Sequence, residues 1–352
     1  MSDTVCCYGR WVPGVDGHRG TPWSASPRII EVLGAHRPLL RSDALRPHPQ
    51  SQTVSLPAAP QAWSPSARPG YDGYDRSASR RAARLSMKRI VWLTDPHLNF
   101  LRDEEVDSFL DRVAALERDA VLISGDIAES HNVVAYLERI ADRLGAPIYF
   151  VLGNHDFYHG SIREVREKVA ALSCRDPRLV WLSAADAIEL TPRVGLVGHD
   201  GWADARLGDY ERSLVMMNDY RLIAEFARMS KQERWPHLWR EADAAAEHIR
   251  SVLPAALERF PRVVMLTHVP PFRDACWHNG QISDDEWLPH FTSKAMGDAL
   301  VAIMREHPGR ELIVLCGHTH GRGEARPASN IVVYTGAAEY GAPDIERILE
   351  FA

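Results

Sequence analysis

Ile313-Val314-Leu315-Cys316-Gly317-His318-Thr319-His320 is a short apolar run that ends in two histidines spaced two apart. The run is too short for a buried helix and reads as a strand covered on both faces. The glycine permits a sharp exit, and the side chains that leave the strand are metal-ligating types. The same arrangement recurs upstream. Ile90–Thr94 runs into Asp95-Pro96-His97, and Ala120–Ser124 into Gly125-Asp126. Ile148–Leu152 runs into Gly153-Asn154-His155-Asp156, and Arg262–Thr267 into His268. A further run, Val194–Val197, leads to His199-Asp200-Gly201-Trp202.

Between these runs lie helical patterns, among them Glu104–Arg118, Val133–Leu144 and Ser161–Leu172. Continuous apolar strands alternating with helices indicate an α/β fold with sheets buried on both faces. Residues 201–250 break the alternation. They are rich in Trp, Arg, Met and Glu and read as a mostly helical insertion, for example over Glu241–Val252, placed either to cap a site or to pack beside it. No internal repeat is visible.

The chain has 352 residues and a net charge of −6. Residues 1–86 hold eleven Arg against six acidic residues and ten of the 23 prolines, so they carry +5 and leave −11 for residues 87–352. Runs such as Arg46-Pro47-His48-Pro49 resist helix and ladder alike, and 1–86 reads as a disordered extension. Met87-Lys88-Arg89-Ile90 has the look of a natural start, so the native product is expected to begin there, with 87–352 as the folded domain. The five cysteines (6, 7, 174, 276 and 316) are odd in number and unevenly spaced, which speaks against a disulfide framework. No stretch approaches a membrane span, and Met1–Gly20 lacks a signal-peptide apolar core, so a cytoplasmic setting is expected.

The strand ends carry the chemistry. In an α/β fold, ligands gather beyond the carboxyl ends of parallel strands. Residues i and i+2 of an extended segment point the same way, so Asp95 and His97 can reach one ion, and His318 and His320 can share one or split between two. Asp95, His97, Asp126, Asn154, His268, His318 and His320 make seven ligands, enough for two divalent ions if Asp126 bridges. Two carboxylates against two divalent cations leave an excess of positive charge, which suits an anionic phosphate. Asp-Pro-His alone is a common turn, His268 alone is more often a core or capping histidine, and Gly-His-Thr-His is the strongest single piece; their occurrence together, each at a strand end, points to one site.

At these residues the chain resembles the calcineurin-like metallophosphoesterases, whose pattern is Asp-x-His, Gly-Asp, Gly-Asn-His-Asp/Glu, a single His, then Gly-His-x-His. The resemblance runs over Asp95–His320, covers 87–352 and omits 1–86. It implies a four-layer α-β-β-α sandwich of two mixed sheets flanked by helices. It implies that Asp95, His97 and His320 bind one ion, that Asn154, His268 and His318 bind the other, and that Asp126 bridges them. His155 would act as general acid or oxyanion stabiliser, with Asp156 orienting it. The implied reaction is in-line attack on phosphorus by a hydroxide held between the ions. Mixed His and carboxylate ligands suit manganese or iron, with zinc next.

The motifs fix a reaction and leave the substrate open. His199, Trp202 and Tyr158 are candidate substrate contacts beside the motifs. A small phosphomonoester or phosphodiester is the favoured partner. A nuclease is the alternative, disfavoured by the −11 charge of 87–352; a protein phosphatase and a non-catalytic scaffold are further ones. Oligomeric state is not legible.

Overall fold

The computed structural model describes residues 87–352 together with one two-residue strand, Thr53–Val54. The expected disordered extension otherwise lies outside the described residues. The strands are β1 (Thr53–Val54), β2 (Lys88–Leu93), β3 (Ala120–Ser124), β4 (Ile148–Val151), β5 (Leu179–Trp181), β6 (Ile188–Thr191), β7 (Val194–Gly198), β8 (Arg262–Leu266), β9 (Trp277–His278), β10 (Gln281–Ile282), β11 (Glu311–Cys316), β12 (Gly323–Ala328), β13 (Ile331–Thr335) and β14 (Arg347–Phe351). The helices are α1 (Asp103–Ala114), α2 (Val133–Leu144), α3 (Ile162–Arg175), α4 (Asp219–Leu222), α5 (Lys231–Arg259), α6 (Leu288–Phe291) and α7 (Lys294–Glu306).

Two six-stranded sheets form, in the orders β1-β14-β2-β3-β4-β5 and β12-β13-β11-β8-β7-β6. Strands β2 to β5 run parallel, as do β7, β8, β11 and β13; β14, β6 and β12 join them antiparallel. Strand alternation then builds the layers. In β2, Ile90 and Trp92 pack with Val264, Leu266, Ile313 and Leu315 in a core between the sheets, whereas Val91 and Leu93 turn to the residues of α1, α2 and α3. In β8 and β11 the alternate set, Val263, Met265, Leu312 and Val314, packs on α5 and α7. The result is a helix-sheet-sheet-helix sandwich, with both sheets buried on both faces as the apolar runs require.

The helices end where their sequences dictate. Ser230 caps α5 by accepting from Glu233 N, while the Glu233 side chain accepts from Ser230 N. Gly145 closes α2 in the left-handed conformation at φ 59°. The segment read as a helical insertion divides in two. Residues 201–218 are irregular, and regular helix begins with α4 and continues in α5. Polar side chains explain the first part: Asp209, Asp204 and Ser213 accept bonds from nearby backbone N–H groups, a competition that disfavours helix.

Asp200 ties the sheets at this level. Its carboxylate accepts from Leu152 N at 2.8 Å, Trp181 Nε1 at 2.9 Å and Ser183 Oγ at 2.7 Å, and pairs with Arg166 Nε at 3.3 Å. Gly195 in β7 faces the ring of Phe260, which a Cβ would overlap. Gly195→Ala is expected to destabilise by about 1–3 kcal/mol. Gly309→Ala, where a Cβ meets nothing within 4 Å, serves as the control. Equal melting temperatures for the two variants would refute this packing.

Candidate metal centre

Five parallel strands of the two sheets end at one edge. β2, β3 and β4 deliver Asp95, His97, Asp126 and Asn154; β8 and β11 deliver His268, His318 and His320. The chain turns so sharply there that Asp95, His97, Asp126, His318 and His320 all adopt positive φ, between 43° and 70°. Each such non-glycine residue is strained by on the order of 1–3 kcal/mol and persists only where its surroundings hold it. The holding bonds are visible: Asp95 N to Gly125 O, His97 N to Asp126 O, Gly317 N to His268 O, and His318 N to Asp95 Oδ1 at 2.9 Å. Gly153 and Gly317 lie so close to the Asp126 and Asp95 carboxylates, respectively, that a Cβ at either would collide with them.

The ligand atoms fall into two groups. Asp95, His97, Asp126 and His320 form one, Asp126, His268 and His318 the other, with the atoms of each group within 4.8 Å of one another. Asp126 belongs to both. The hydrogen positions decide what such groups hold. His268 Nδ1 lies 2.9 Å from the Ser124 carbonyl, which can only accept, so Nδ1 carries the hydrogen and Nε2 offers a lone pair. That lone pair faces Asn154 Oδ1 at 3.0 Å and Asp126 Oδ1 at 3.4 Å. Asn154 is oriented by Asp219, whose Oδ1 takes the amide N–H at 2.8 Å. Three acceptors therefore converge without a hydrogen between them. His318 repeats the logic: Nε2 donates to the His290 carbonyl at 3.1 Å and leaves Nδ1 free. In the other group His97 Nε2 and His320 Nε2 face each other at 3.1 Å. Converging lone pairs of nitrogen and oxygen, set among buried carboxylates, fit a pair of divalent cations.

The electrostatics agree. Burial pushes the Asp126 carboxyl well up, and the charges of Asp95 and Asp156 add to this. Burial also raises Asp95, but the bond to His320 and the charges of His268, His320 and His97 outweigh it and hold the carboxyl well below the usual range. The imidazole of His97 is lowered to about 3, first by burial and then by His320. The protein alone cannot carry both carboxylates charged at low cost; cations remove that conflict.

The profile of the calcineurin-like phosphoesterase family matches residues 88–322. The chain belongs to this family. It is thus a hydrolase acting on phosphoester bonds. Comparison of the sequence with curated proteins gave no significant match. Among solved structures the phosphoesterase is similar to a dimetal phosphatase from Danio rerio, at 15% identity and a TM-score of 0.44, over 73% of this chain and 89% of that one. It is also similar to the phosphopantetheinyl hydrolase of Mycobacterium tuberculosis, at 14% identity and a TM-score of 0.49, over 72% and 90%.

The surroundings of four other expected residues bear on their roles. Asp156 does not orient His155. Its Oδ1 accepts from Ile127 N at 2.9 Å and Ala128 N at 2.8 Å, and its Oδ2 from Gly153 N at 2.8 Å, while His155 Nδ1 is without a hydrogen-bond partner among the described residues. It clamps the Asp126 loop to the Asn154 loop, because both present backbone N–H groups to a buried carboxylate. Burial raises that carboxyl to about 7 despite the three bonds. His199 is buried, accepts from Gly201 N at 3.1 Å through Nδ1, and its ring packs at a tilt against His248. Trp202 is buried between Phe157 and Phe226, although it lines a small cavity with Asn154, His268 and His318. Tyr158 is buried too; its hydroxyl donates to Asp219 at 2.7 Å and its ring lies 4.3 Å from His155.

Three residues were not anticipated: Asp219, His290 and Tyr340. Asp219 orients Asn154 and Tyr158 together, and His290 supports His318 through its carbonyl. Tyr340 stands at the mouth with its hydroxyl 3.4 Å from His155 Nε2. No motif marks them; an acidic residue opening a short helix in the irregular segment was the one signal for Asp219.

Asp156→Ala should strand buried N–H groups and cost about 3 kcal/mol, lowering the melting temperature by roughly 5–10 °C. A normal melting curve with impaired turnover would restore Asp156 to an orienting role.

Proposed function

We propose that this chain is a dinuclear metal-dependent phosphoesterase acting on small phosphomonoesters or phosphodiesters. The observation that carries the reading is the pair of donor groups sharing Asp126 at the convergent strand ends. Asp95, His97 and His320 would hold one ion, and His268, His318 and the Asn154 amide oxygen the other. Two such cations would supply Lewis acidity, drawing and polarising the phosphate and acidifying the attacking water. Manganese or iron suits this mixed donor set, with zinc as the next choice.

The protein's own groups do the rest. Asp219 keeps the Asn154 oxygen turned toward His268. His155 is the imidazole that belongs to neither donor group: its backbone N–H is held by Asp126 Oδ1 at 2.9 Å, its ring rests on Tyr158, and Nε2 lies 3.4 Å from the Tyr340 hydroxyl. It would donate a hydrogen bond or a proton to an oxygen of the phosphate. The −11 charge of residues 87–352 supports a small ester over a nucleic acid, whose backbone calls for a basic track. No helix of the described residues is long and apolar enough to cross a membrane.

The test is hydrolysis of p-nitrophenyl phosphate and bis(p-nitrophenyl) phosphate by chelator-stripped protein with manganese restored. Turnover should require the metal and vanish in Asp126→Asn. His155→Ala should bind metal normally and lose roughly 100- to 10,000-fold in kcat. Metal-independent turnover, or full activity in Asp126→Asn, would reject the site. Asp219→Ala should weaken manganese binding by roughly tenfold or more in calorimetry; unchanged affinity would remove Asn154 from the ligand set.

A further inference from the structure

We propose that Phe100 and Tyr340 form a stacking subsite for a planar aromatic group carried by the substrate ester. The proposal rests on the phosphoesterase reading of the adjoining donor cluster and narrows its substrate class.

Phe100 and Tyr340 are 52% and 50% exposed. Single exposed apolar side chains are ordinary, but these two touch, with ring centroids 5.0 Å apart. They lie far apart in the sequence. Phe100 closes the single helical turn Leu98–Phe100 that follows His97, where buried Leu98 is the anchor. Tyr340 sits in the connection between β13 and β14. The Tyr340 ring lies 4.5 Å from His97, 5.0 Å from His320 and 5.9 Å from His155. The pair thus borders the donor cluster on the side of His155 Nε2, which the Tyr340 hydroxyl approaches to 3.4 Å.

The wall is fixed before any ligand arrives. Tyr340 rides on a turn closed by Ala342 N to Glu339 O at 3.1 Å, and Gly341 takes the φ of 76° that the turn needs. Glu346 anchors the loop, receiving Arg322 through two bonds of 2.9 Å and Ala337 N at 3.1 Å. Ala338 N reaches back to His320 O. Half-exposed rings held this firmly gain nothing from water and offer flat faces to a ligand at low ordering cost. A phosphate seated at the cluster would send its ester substituent past them. Planar groups stack on such rings, and saturated ones of equal bulk do so poorly.

The test uses the full-length chain and ester pairs with matched leaving oxygens. 2-Phenylethyl phosphate should be preferred over 2-cyclohexylethyl phosphate in kcat/KM, and Tyr340→Ala should reduce that ratio on the order of tenfold. Phe100→Leu, which keeps apolar bulk, should reduce it in the same direction and guards against a folding failure of the first variant. Adenosine 5′-phosphate against ribose 5-phosphate separates a nucleobase from a simple aryl group, since both leave from the same hydroxyl. Binding of 2-phenylethylphosphonate and 2-cyclohexylethylphosphonate to manganese-loaded protein, measured by calorimetry, reads the subsite without turnover. If no ester is hydrolysed but the aromatic phosphonate binds more tightly and loses its advantage in Tyr340→Ala, the catalytic reading fails and the subsite stands. Equal ratios in wild type and both variants, or equal binding of the two phosphonates, overturn the subsite.

Discussion

Lone pairs that face one another are the constraint on which this structure depends. His268 Nε2, Asn154 Oδ1 and Asp126 Oδ1 meet without a hydrogen between them. Such an arrangement is unfavourable for an isolated chain, and no local sequence preference would create it. It exists because two sheets bring five strand ends to one edge and because the exits are forced into left-handed backbone. The cross-sheet bond from His318 N to Asp95 Oδ1 is where the two sheets settle their positions around the cluster. Strain at the exits is offset by the large apolar core beneath, which is tolerant because it is continuous from one sheet to the other.

The two donor groups are supported differently. Asp95 is backed by core residues: Thr94 bonds to its carboxylate, Ser124 to Thr94 at 2.7 Å, and Trp92 to Ser124 at 2.9 Å. The second group leans on the irregular segment and its helices. Asp219 holds Asn154, and His290, fixed by Ser213 at 3.0 Å and Tyr220 at 2.6 Å, holds His318. The segment read as either a cap or a packed excursion thus supplies bonds that hold Asn154 and His290.

The sequence singled out the candidate ligands because each ends a strand of unmistakable pattern. All six runs picked from the sequence are strands, and Val133–Leu144 is a helix over its whole length. Strands β13 and β14 went unread, although Ile331–Thr335 is as apolar as its neighbours. The supporting residues were illegible for a different reason. Asp219 lies far from Asn154 in the chain, and Tyr340 far from His97, so only the folded topology joins them. Adjacency misled in the other direction. Asp156 follows His155, yet on a tight helical turn neighbouring side chains diverge, and the buried N–H groups of two loops claimed its carboxylate.

That division bears on how a metallophosphoesterase of this kind acquires a substrate. The ligands and their backbone ties are interlocked: moving Asp126 disturbs His155 N, and moving Asp95 disturbs His318 N. Little freedom remains there for selection of a substrate. The loop of Tyr340 is bound to the centre through backbone contacts and through Glu346, and it contributes no ligand atom. Its side chain can change without unseating a ligand. On the proposed reading, specificity falls to the rim, where side chains from the β2–β3 and β13–β14 connections meet beside a donor cluster that the core holds constant.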